Sequence, residues 1–150
     1  MAQTATETLG IVSFLMMQSE QHRGLTLEAL TRRCLPAINA GLVVTAQTPP
    51  QPKDDRTVPN APLAYAIFAR VSDAWDEKLR DPEFDLGTLP REAWNSGPHQ
   101  WLVDLLAAKD GAGPFAARAA AALFEEGSTL NIRLLDDAGT MKIGERTVGR

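Results

Sequence analysis

Two residues far apart in the sequence, His22 and Asp104, have the side-chain types of an acid–base pair. Asp104 stands inside the apolar segment 99–108, which has the length and composition of a buried strand. A buried carboxylate is costly unless it is hydrogen-bonded or paired with a cation. The chain has two histidines, and on a regular strand His99 points away from the face that carries Asp104. We therefore expect the fold to bring His22 to Asp104.

Such a pair supplies general acid–base chemistry near neutral pH. The imidazole of His22 can accept a proton, and a carboxylate on its other nitrogen fixes the tautomer and stabilises the imidazolium. Ser19 precedes His22 by three residues, so both can face one cavity from a helix end. No G-x-S-x-G motif surrounds Ser19, and we assign it a supporting role rather than that of nucleophile. Alternatively, Asp104 pairs with an arginine or with backbone N–H groups as a structural feature.

A second candidate site is the glycine-containing segment 110–113, between the predicted strand and an alanine-rich helix. Free N–H groups at a helix N-terminus favour an anion such as a phosphate. The spacing is neither a P-loop nor a complete dinucleotide-binding motif, and a tight turn is the alternative interpretation. A metal site is not expected, because two histidines and one cysteine without close spacing do not form a ligand set.

The composition is that of an ordinary globular protein. The chain has 150 residues, 44% of them hydrophobic and 23% charged, which is enough for one domain with a sizeable core. We take 1–150 as a single domain. The net charge of −4 argues against nonspecific nucleic-acid binding. The lone cysteine, Cys34, fits a reducing compartment, and no apolar stretch is long enough for a membrane span. The expected location is the cytoplasm.

Hydrophobic periodicity and turn residues predict an α/β (α+β) fold with a mixed central sheet and flanking helices. The predicted helices cover Thr4–Ser19, Leu27–Leu35, a short segment from Ser72 to Arg80, and Phe115–Glu126; the predicted strands cover Gly41–Thr48, Leu63–Val71, His99–Ala108, Thr129–Leu135 and Thr140–Glu145. Thr26 is predicted to cap the second helix, and Pro36 to end or kink it. The proline-rich segment 49–62 is predicted to be a mobile surface loop between the first two strands, which form a hairpin.

Taken together, these residues resemble the RTX toxin-activating lysine acyltransferases. The resemblance runs from Leu9 to Glu145 and is carried by an ordered set of short segments: Leu9–Leu15, Ser19 with His22-Arg23, Leu35–Ile38, Ala64–Ala66, Trp94–Gly97 and Trp101–Asp104. It implies a GNAT-like fold, acyl–acyl carrier protein as the donor, and internal lysines of an RTX protoxin as acceptors. It implies no bound cofactor, because the phosphopantetheine thioester of the carrier protein is a co-substrate, and it implies a homodimer.

The resemblance also implies roles for individual residues. The essential histidine of the family falls on His22, its essential aspartate on Asp104, and a functionally relevant serine on Ser19. The chain departs from the family at Arg33, where some members have an asparagine-like residue, and the segment 49–62 is longer. The net charge is also acidic, like that of the carrier protein, so donor binding requires a local cluster of basic groups.

With acyl–acyl carrier protein as the donor, we expect its pantetheine arm to lie along the strand 101–108 with its phosphate near the glycine-containing segment. The donor-binding residues that we predict on this basis are Arg23, Lys109, Gly111, Gly113 and Arg118. The thioester oxyanion would be met by backbone N–H groups near the irregular end of the strand.

Two other functions stay open at this point. One is a GNAT-like N-acyltransferase that uses acyl-CoA on a small amine, although the pyrophosphate loop of that class is not seen in the segment 110–113. The other is a non-catalytic binding relative, in which Asp104 is structural and His22 is an exposed surface residue.

Overall fold

The computed structural model describes residues 3–48, 51–53, 56–58 and 61–149, with backbone only for 51–53, 56–58 and 109. Within them, the helices are α1 (Ala5–Met17), α2 (Leu27–Asn39), α3 (Asp73–Leu79) and α4 (Ala112–Leu123); the strands are β1 (Val43–Gln47), β2 (Gln51–Lys53), β3 (Arg56–Val58), β4 (Pro62–Val71), β5 (His99–Leu106), β6 (Thr129–Leu135) and β7 (Met141–Thr147). Short 3-10 turns occupy Leu86–Thr88, Arg91–Ala93 and Lys109–Gly111. The predicted fold class and the order of the main elements are confirmed.

Five strands form the central sheet in the order β1-β4-β5-β6-β7. Neighbouring strands are antiparallel except β5 and β6, which are parallel. The predicted hairpin is present, with Val43 of β1 opposite Ile67 of β4. β4 lies inside the sheet and is buried along most of its length, which explains its nearly continuous apolar sequence. The arrangement is consistent with the GNAT-like fold that the resemblance implies.

Both N-terminal helices begin at a threonine cap. The Thr4 hydroxyl accepts a hydrogen bond from the Glu7 N–H at 3.1 Å, and Thr26 accepts one from Ala29 at 3.0 Å. Each cap satisfies an N–H group that has no partner within the helix. The two helices pack against each other and against β4. In the described part of the chain no helix combines the length and apolar composition needed to cross a membrane.

Pro36 does not end α2, because the helix continues to Asn39 with the proline inside it; the alternative, a kink at Pro36, stays a prediction. Proline has no N–H to offer the carbonyl of Arg32, so it weakens the ladder at that point. Cys34 and Ala37, on either side of Pro36, are both fully buried in the core. Their burial favours a continuous helix over one that stops before the proline, since tertiary packing outweighs local propensity here.

The predicted start of α4 at Phe115 is also wrong. The helix begins at Ala112, directly after the 3-10 turn Lys109–Gly111, and Pro114 is its third residue. Proline is tolerated there because the first N–H groups of a helix have no intrahelical partner. The glycine-containing segment is therefore a turn that continues into the helix rather than an open loop.

Part of the proline-rich segment 49–62 is a two-stranded ribbon. β2 and β3 pair antiparallel, with Gln51 opposite Val58, where the sequence predicted only a loop. Residues 49, 50, 54, 55, 59 and 60 lie outside the described residues. The mobility of this segment stays a prediction.

The parallel strands β5 and β6 separate partway along their length. They pair only from Gln100 to Leu102 on β5, although both strands continue beyond that point. On the other side, Leu102 lies opposite Phe68 and Asp104 opposite Ile67, so Val103 has no partner on β4. This bulge interrupts the ladder immediately before Asp104. The separation opens a groove between the carboxyl-terminal halves of β5 and β6.

Gly97 is predicted to be required for packing. A Cβ added there would lie 2.5 Å from Ser72 Cα and 2.6 Å from the Val71 oxygen, so Gly97→Ala should lower the free energy of unfolding by about 1–3 kcal/mol. The control is Gly10→Ala in α1, where an added Cβ meets nothing within 4 Å and removal of a helical glycine should stabilise by about 0.5–1 kcal/mol. Urea unfolding of both variants checks this, and equal stabilities would contradict it.

Candidate active site

Ser19, His22 and Asp104 meet beside the groove. His22 Nε2 lies 3.0 Å from Asp104 Oδ2, and the Ser19 hydroxyl lies 2.8 Å from His22 Nδ1. His22 and Asp104 are only 5% and 7% exposed, which matters because a buried acid–base pair is shielded from water. The structure thus brings together the three residues that the sequence analysis singled out.

The tautomer of His22 follows from its partners. The Asp104 carboxylate can only accept, so Nε2 carries the hydrogen and donates it. Nδ1 is then the lone-pair nitrogen, and it accepts from the Ser19 hydroxyl. The basic nitrogen of the imidazole therefore faces Ser19, while Asp104 holds the opposite side of the ring.

The turn that follows α1 fixes Ser19 and His22 on the same side. The N–H groups of His22 and Arg23 both donate to the Ser19 carbonyl, at 3.1 and 2.9 Å, and Leu25 N–H donates to the His22 carbonyl at 2.9 Å. Asp104 arrives from β5, directly after the bulge at Val103. Local backbone bonds thus place the histidine, and an irregular strand places its carboxylate.

Tyr65 is a fourth member of the site that the sequence analysis did not assign. It is fully buried on β4, and its hydroxyl oxygen lies 3.4 Å from His22 Nε2. Because Nε2 donates to Asp104, the Tyr65 hydroxyl is directed at the same carboxylate. Burial, followed by the charge and hydrogen bonding of Asp104, raises the pKa of Tyr65 far above its usual range. The available signal was a lone tyrosine inside an apolar strand, since a buried hydroxyl needs a partner.

Cys34 lies near the same carboxylate but has no exposed surface. Its thiol donates to the Leu30 carbonyl at 3.1 Å. Burial, and then the negative charge of Asp104, raises the pKa of the Cys34 thiol to about 12. The thiol therefore stays protonated in the physiological range, and we assign it no chemical role.

Cys34 is predicted to be unreactive in the folded protein. With a pKa of about 12 in place of 9.0, the thiol presents roughly a thousandfold less thiolate at pH 8, and the thiolate is the reactive form. Between about pH 9 and pH 12 the thiol loses its proton in the unfolded chain but keeps it in the folded protein. The contribution of Cys34 to the free energy of unfolding therefore falls as the pH rises through this range. Reaction with a chromogenic disulfide reagent at pH 8, with and without denaturant, checks the prediction. Similar rates would contradict it.

The groove has a volume of about 740 Å³. Its walls are mostly apolar near the separated strands: Val103, Leu105, Leu106, Leu134, Leu135 and Met141. Exposed carboxylates of Glu20 and Asp137 also line it. The groove is therefore apolar between the separated strands and polar beside His22 and Asp104.

Arg133 is a buried cation in the groove that the sequence analysis missed. It lies on β6 and is 2% exposed. Its Nε donates to the Leu79 carbonyl at 3.0 Å, and its Nη2 donates to the carbonyls of Asp81, at 3.2 Å, and Phe84. Burial, and then the charge of Arg33, lowers the pKa of Arg133. The only sequence signal was an arginine within an apolar strand.

The predicted donor-binding residues lie around the groove rather than in its walls. Arg23, next to His22, is exposed and pairs with Glu20 at 3.5 Å. Gly111 and Gly113 are exposed at the start of α4, where Ala112 lines the groove. Arg118 is exposed in the middle of that helix. The backbone of Lys109 belongs to the preceding 3-10 turn.

The second histidine belongs to a different place. His99 Nε2 lies 2.6 Å from Asp73 Oδ1, at the N-terminal end of β5. Its side chain is not part of the groove that contains Asp104. Among the described residues, no group of three histidine, cysteine or acidic side chains is placed to hold a metal ion.

Sequence comparisons agree with the resemblance noted above. A sequence model of the HlyC RTX toxin acyltransferase family matches residues 1–143. Three relatives have names that state lysine acyltransferase or myristoyltransferase activity.

Each relative matches about two thirds of the chain. "Protein-lysine myristoyltransferase HlyC" of Escherichia coli is 32% identical over 67% of this chain and 51% of its own length. "Leukotoxin-activating lysine-acyltransferase LtxC" of Aggregatibacter actinomycetemcomitans is 30% identical over 67% of this chain and 52% of its own length. "Leukotoxin-activating lysine-acyltransferase LktC" of a Pasteurella haemolytica-like species is 29% identical over 66% of this chain and 52% of its own length. The chain thus spans about half the length of the curated relatives it matches.

Proposed function

Because the chain belongs to the RTX toxin acyltransferase family, we propose that it is a protein-lysine acyltransferase acting on internal lysines of an RTX protoxin. The donor in this proposal is acyl–acyl carrier protein. The observation that supports it most directly is the Ser19–His22–Asp104 set, with His22 and Asp104 buried, beside a groove whose walls between β5 and β6 are apolar. That combination places a proton acceptor next to a cavity suited to an acyl chain.

The acceptor must first lose its ammonium proton, which passes to solvent. A lysine has a pKa of about 10.4, so the neutral amine at pH 7 is about 4–5 kcal/mol less favourable than the ammonium. Once neutral, the amine nitrogen bonds to the thioester carbonyl carbon, and the electron pair of the C=O bond moves to oxygen. The nitrogen then gives up a proton, the oxygen pair returns, and the C–S bond breaks. The leaving thiolate takes that proton and becomes a thiol.

We propose that His22 carries the second proton, which the nitrogen gives up after it has bonded to the carbonyl carbon. Its Nδ1 accepts the proton from the attacking nitrogen and returns it to the thiolate sulfur. Asp104, on Nε2, stabilises the imidazolium that forms between these steps. The Ser19 hydroxyl donates to Nδ1 and orients the imidazole ring. The Tyr65 hydroxyl, on β4, is directed at the Asp104 carboxylate.

The donor is proposed to enter along the separated strands. Its pantetheine arm follows β5, with its phosphate near the first turn of α4, where Gly111 and Gly113 flank Ala112 and free N–H groups favour an anion. Arg23, Lys109 and Arg118 supply positive charge around the groove for the acidic carrier protein. The backbone at the Val103 bulge is our candidate donor to the thioester oxygen. We also propose that the protein is located in the cytoplasm and forms a homodimer.

Ser19 is predicted to support direct transfer rather than to form an acyl-enzyme. Ser19→Ala removes one hydrogen bond to His22, worth about 1–1.5 kcal/mol, and should lower turnover roughly tenfold. The matched control is Ser13→Ala, because Ser13 bonds only to carbonyls of its own helix. Turnover of both variants is measured alongside mass spectrometry of denatured enzyme incubated with donor. An acyl adduct on Ser19, with complete loss of turnover in Ser19→Ala, would contradict direct transfer.

The donor class is tested by following release of the free thiol. Purified protein is incubated with a candidate RTX protoxin and either acyl–acyl carrier protein or acyl-CoA. We expect thiol release from the carrier protein, dependent on both the enzyme and the protoxin. Faster use of acyl-CoA with a small amine would contradict the proposed donor and acceptor.

A further inference from the structure

Arg33 lines the same groove as His22 and Asp104 from the α2 side. Its Nε is buried and has no hydrogen-bond partner among the residues that the structure describes. The neighbouring Arg32 differs, since it is exposed and pairs with Glu28 at 2.5 Å. No described carboxylate lies within 4.0 Å of the Arg33 guanidinium. A partly buried cation whose N–H donors have no hydrogen-bond partner is costly unless an anionic ligand binds to it.

The second cation of the groove increases this cost. Arg133 also lacks an ion pair in the described part of the chain, and its bonds go to neutral carbonyls. The groove is lined by these two arginines and by one buried carboxylate, Asp104, and the charges of Asp81 and Asp85 also act on Arg133. Glu20 and Asp137 are exposed, where water screens them. Arg33 has a buried donor without a partner in this groove, so it can receive negative charge that develops on a bound substrate.

We propose that the Arg33 guanidinium donates a hydrogen bond to the thioester carbonyl oxygen as that oxygen becomes negative, which makes Arg33 a further catalytic residue. This rests on the proposed function. Addition of the amine to the carbonyl carbon moves the C=O electron pair to oxygen, where Arg33 meets it. When the pair returns, the C–S bond breaks and the thiolate receives the proton held by His22.

The position of Arg33 favours this role over binding of the donor phosphate. Its charge acts on the Tyr65 hydroxyl, which lies 3.4 Å from His22 Nε2. The place proposed for the phosphate is instead the start of α4, where Ala112 lines the groove. Arg133 is held in place by three carbonyls, so it acts as a fixed positive charge near Arg33 rather than as a mobile donor.

Steady-state kinetics separate the two roles. Arg33→Gln should lower kcat about 10²–10³-fold, the usual effect of removing one oxyanion donor, with KM for acyl–acyl carrier protein within about twofold. Arg33→Lys should recover part of kcat, because a lysine keeps the charge but not the fork of donors. Arg32→Gln is the matched control and should leave both constants unchanged. An increase in KM alone, or unchanged constants in Arg33→Gln, would overturn the inference.

A binding measurement tests the same residue without turnover. Octanoate places a negative oxygen at the head of an acyl chain, and octanol does not. By calorimetry, wild type and Arg32→Gln should bind octanoate at least about tenfold more tightly than octanol, and Arg33→Gln should lose that preference. No preference in wild type would overturn the inference even if the protein is an active acyltransferase. Conversely, a preference lost in Arg33→Gln would support the anion site even if no acceptor is acylated.

Discussion

Replacing His22 by glutamine is expected to reduce acylation of protoxin lysines by about 10²–10⁴-fold, the usual contribution of a positioned general base. Glutamine can still donate to Asp104 through its amide, so the buried carboxylate keeps a partner. It has no nitrogen that accepts a proton near neutral pH. The loss should therefore appear in turnover while the far-ultraviolet circular dichroism and the unfolding midpoint stay close to those of wild type.

The other histidine supplies the matched control for this variant. His99 also contacts an aspartate, Asp73, but its side chain is 34% exposed and lies outside the groove. His99→Gln should leave acylation within about twofold of wild type. Near-wild-type acylation by a folded His22→Gln protein would remove His22 from the mechanism. Equal losses in both variants would point to a general effect on folding.

Replacing Asp104 by asparagine is the second change with a large expected effect, about 10²–10⁴-fold on turnover. The amide has nearly the same shape but cannot stabilise the imidazolium that forms on His22. It also presents an NH₂ group that competes with the carbonyl oxygen for the place facing Nε2, so the tautomer is no longer fixed. The unfolding midpoint should fall as well, because the arginines of the groove lose a buried counter-charge, but the loss of turnover should remain when turnover is expressed per folded molecule.

This variant also separates the catalytic role from the structural alternative. If Asp104 only held the fold together, Asp104→Asn would lower the unfolding midpoint and leave turnover per folded molecule unchanged. Asp76 is the matched structural carboxylate, because it is 13% exposed and accepts from Arg80 and from Trp101 Nε1. Asp76→Asn should show the structural pattern, with reduced stability and normal turnover.

The fold was largely predictable because periodicity and caps are local signals. Thr4 and Thr26 mark two helix starts, and the bounds of β6 are those expected from its sequence. The errors lie where packing outweighs local preference. Burial around Pro36 continues α2 through a proline, and the first turn of α4 accommodates Pro114.

The sequence predicted the His22–Asp104 pair because Asp104 breaks the rule that buried strands carry apolar side chains. Asp104 is an acid in an apolar strand, and a chain with two histidines offers few partners for it. Tyr65 and Arg133 are different, because a tyrosine or an arginine in a strand is unremarkable until its neighbours are known. Their roles depend on the bulge at Val103 and on the separation of β5 from β6, which long-range pairing decides.

The most direct measurement is the intact mass of a candidate RTX protoxin coexpressed with this protein in a bacterial host that supplies acyl carrier protein. The account predicts a mass increase of one fatty acyl group on an internal lysine, present with wild type and with His99→Gln and lost with His22→Gln. An unchanged protoxin mass, with folded wild-type protein and charged carrier protein both present, would contradict acylation of that protoxin. An equal increase with His22→Gln would contradict the role of His22.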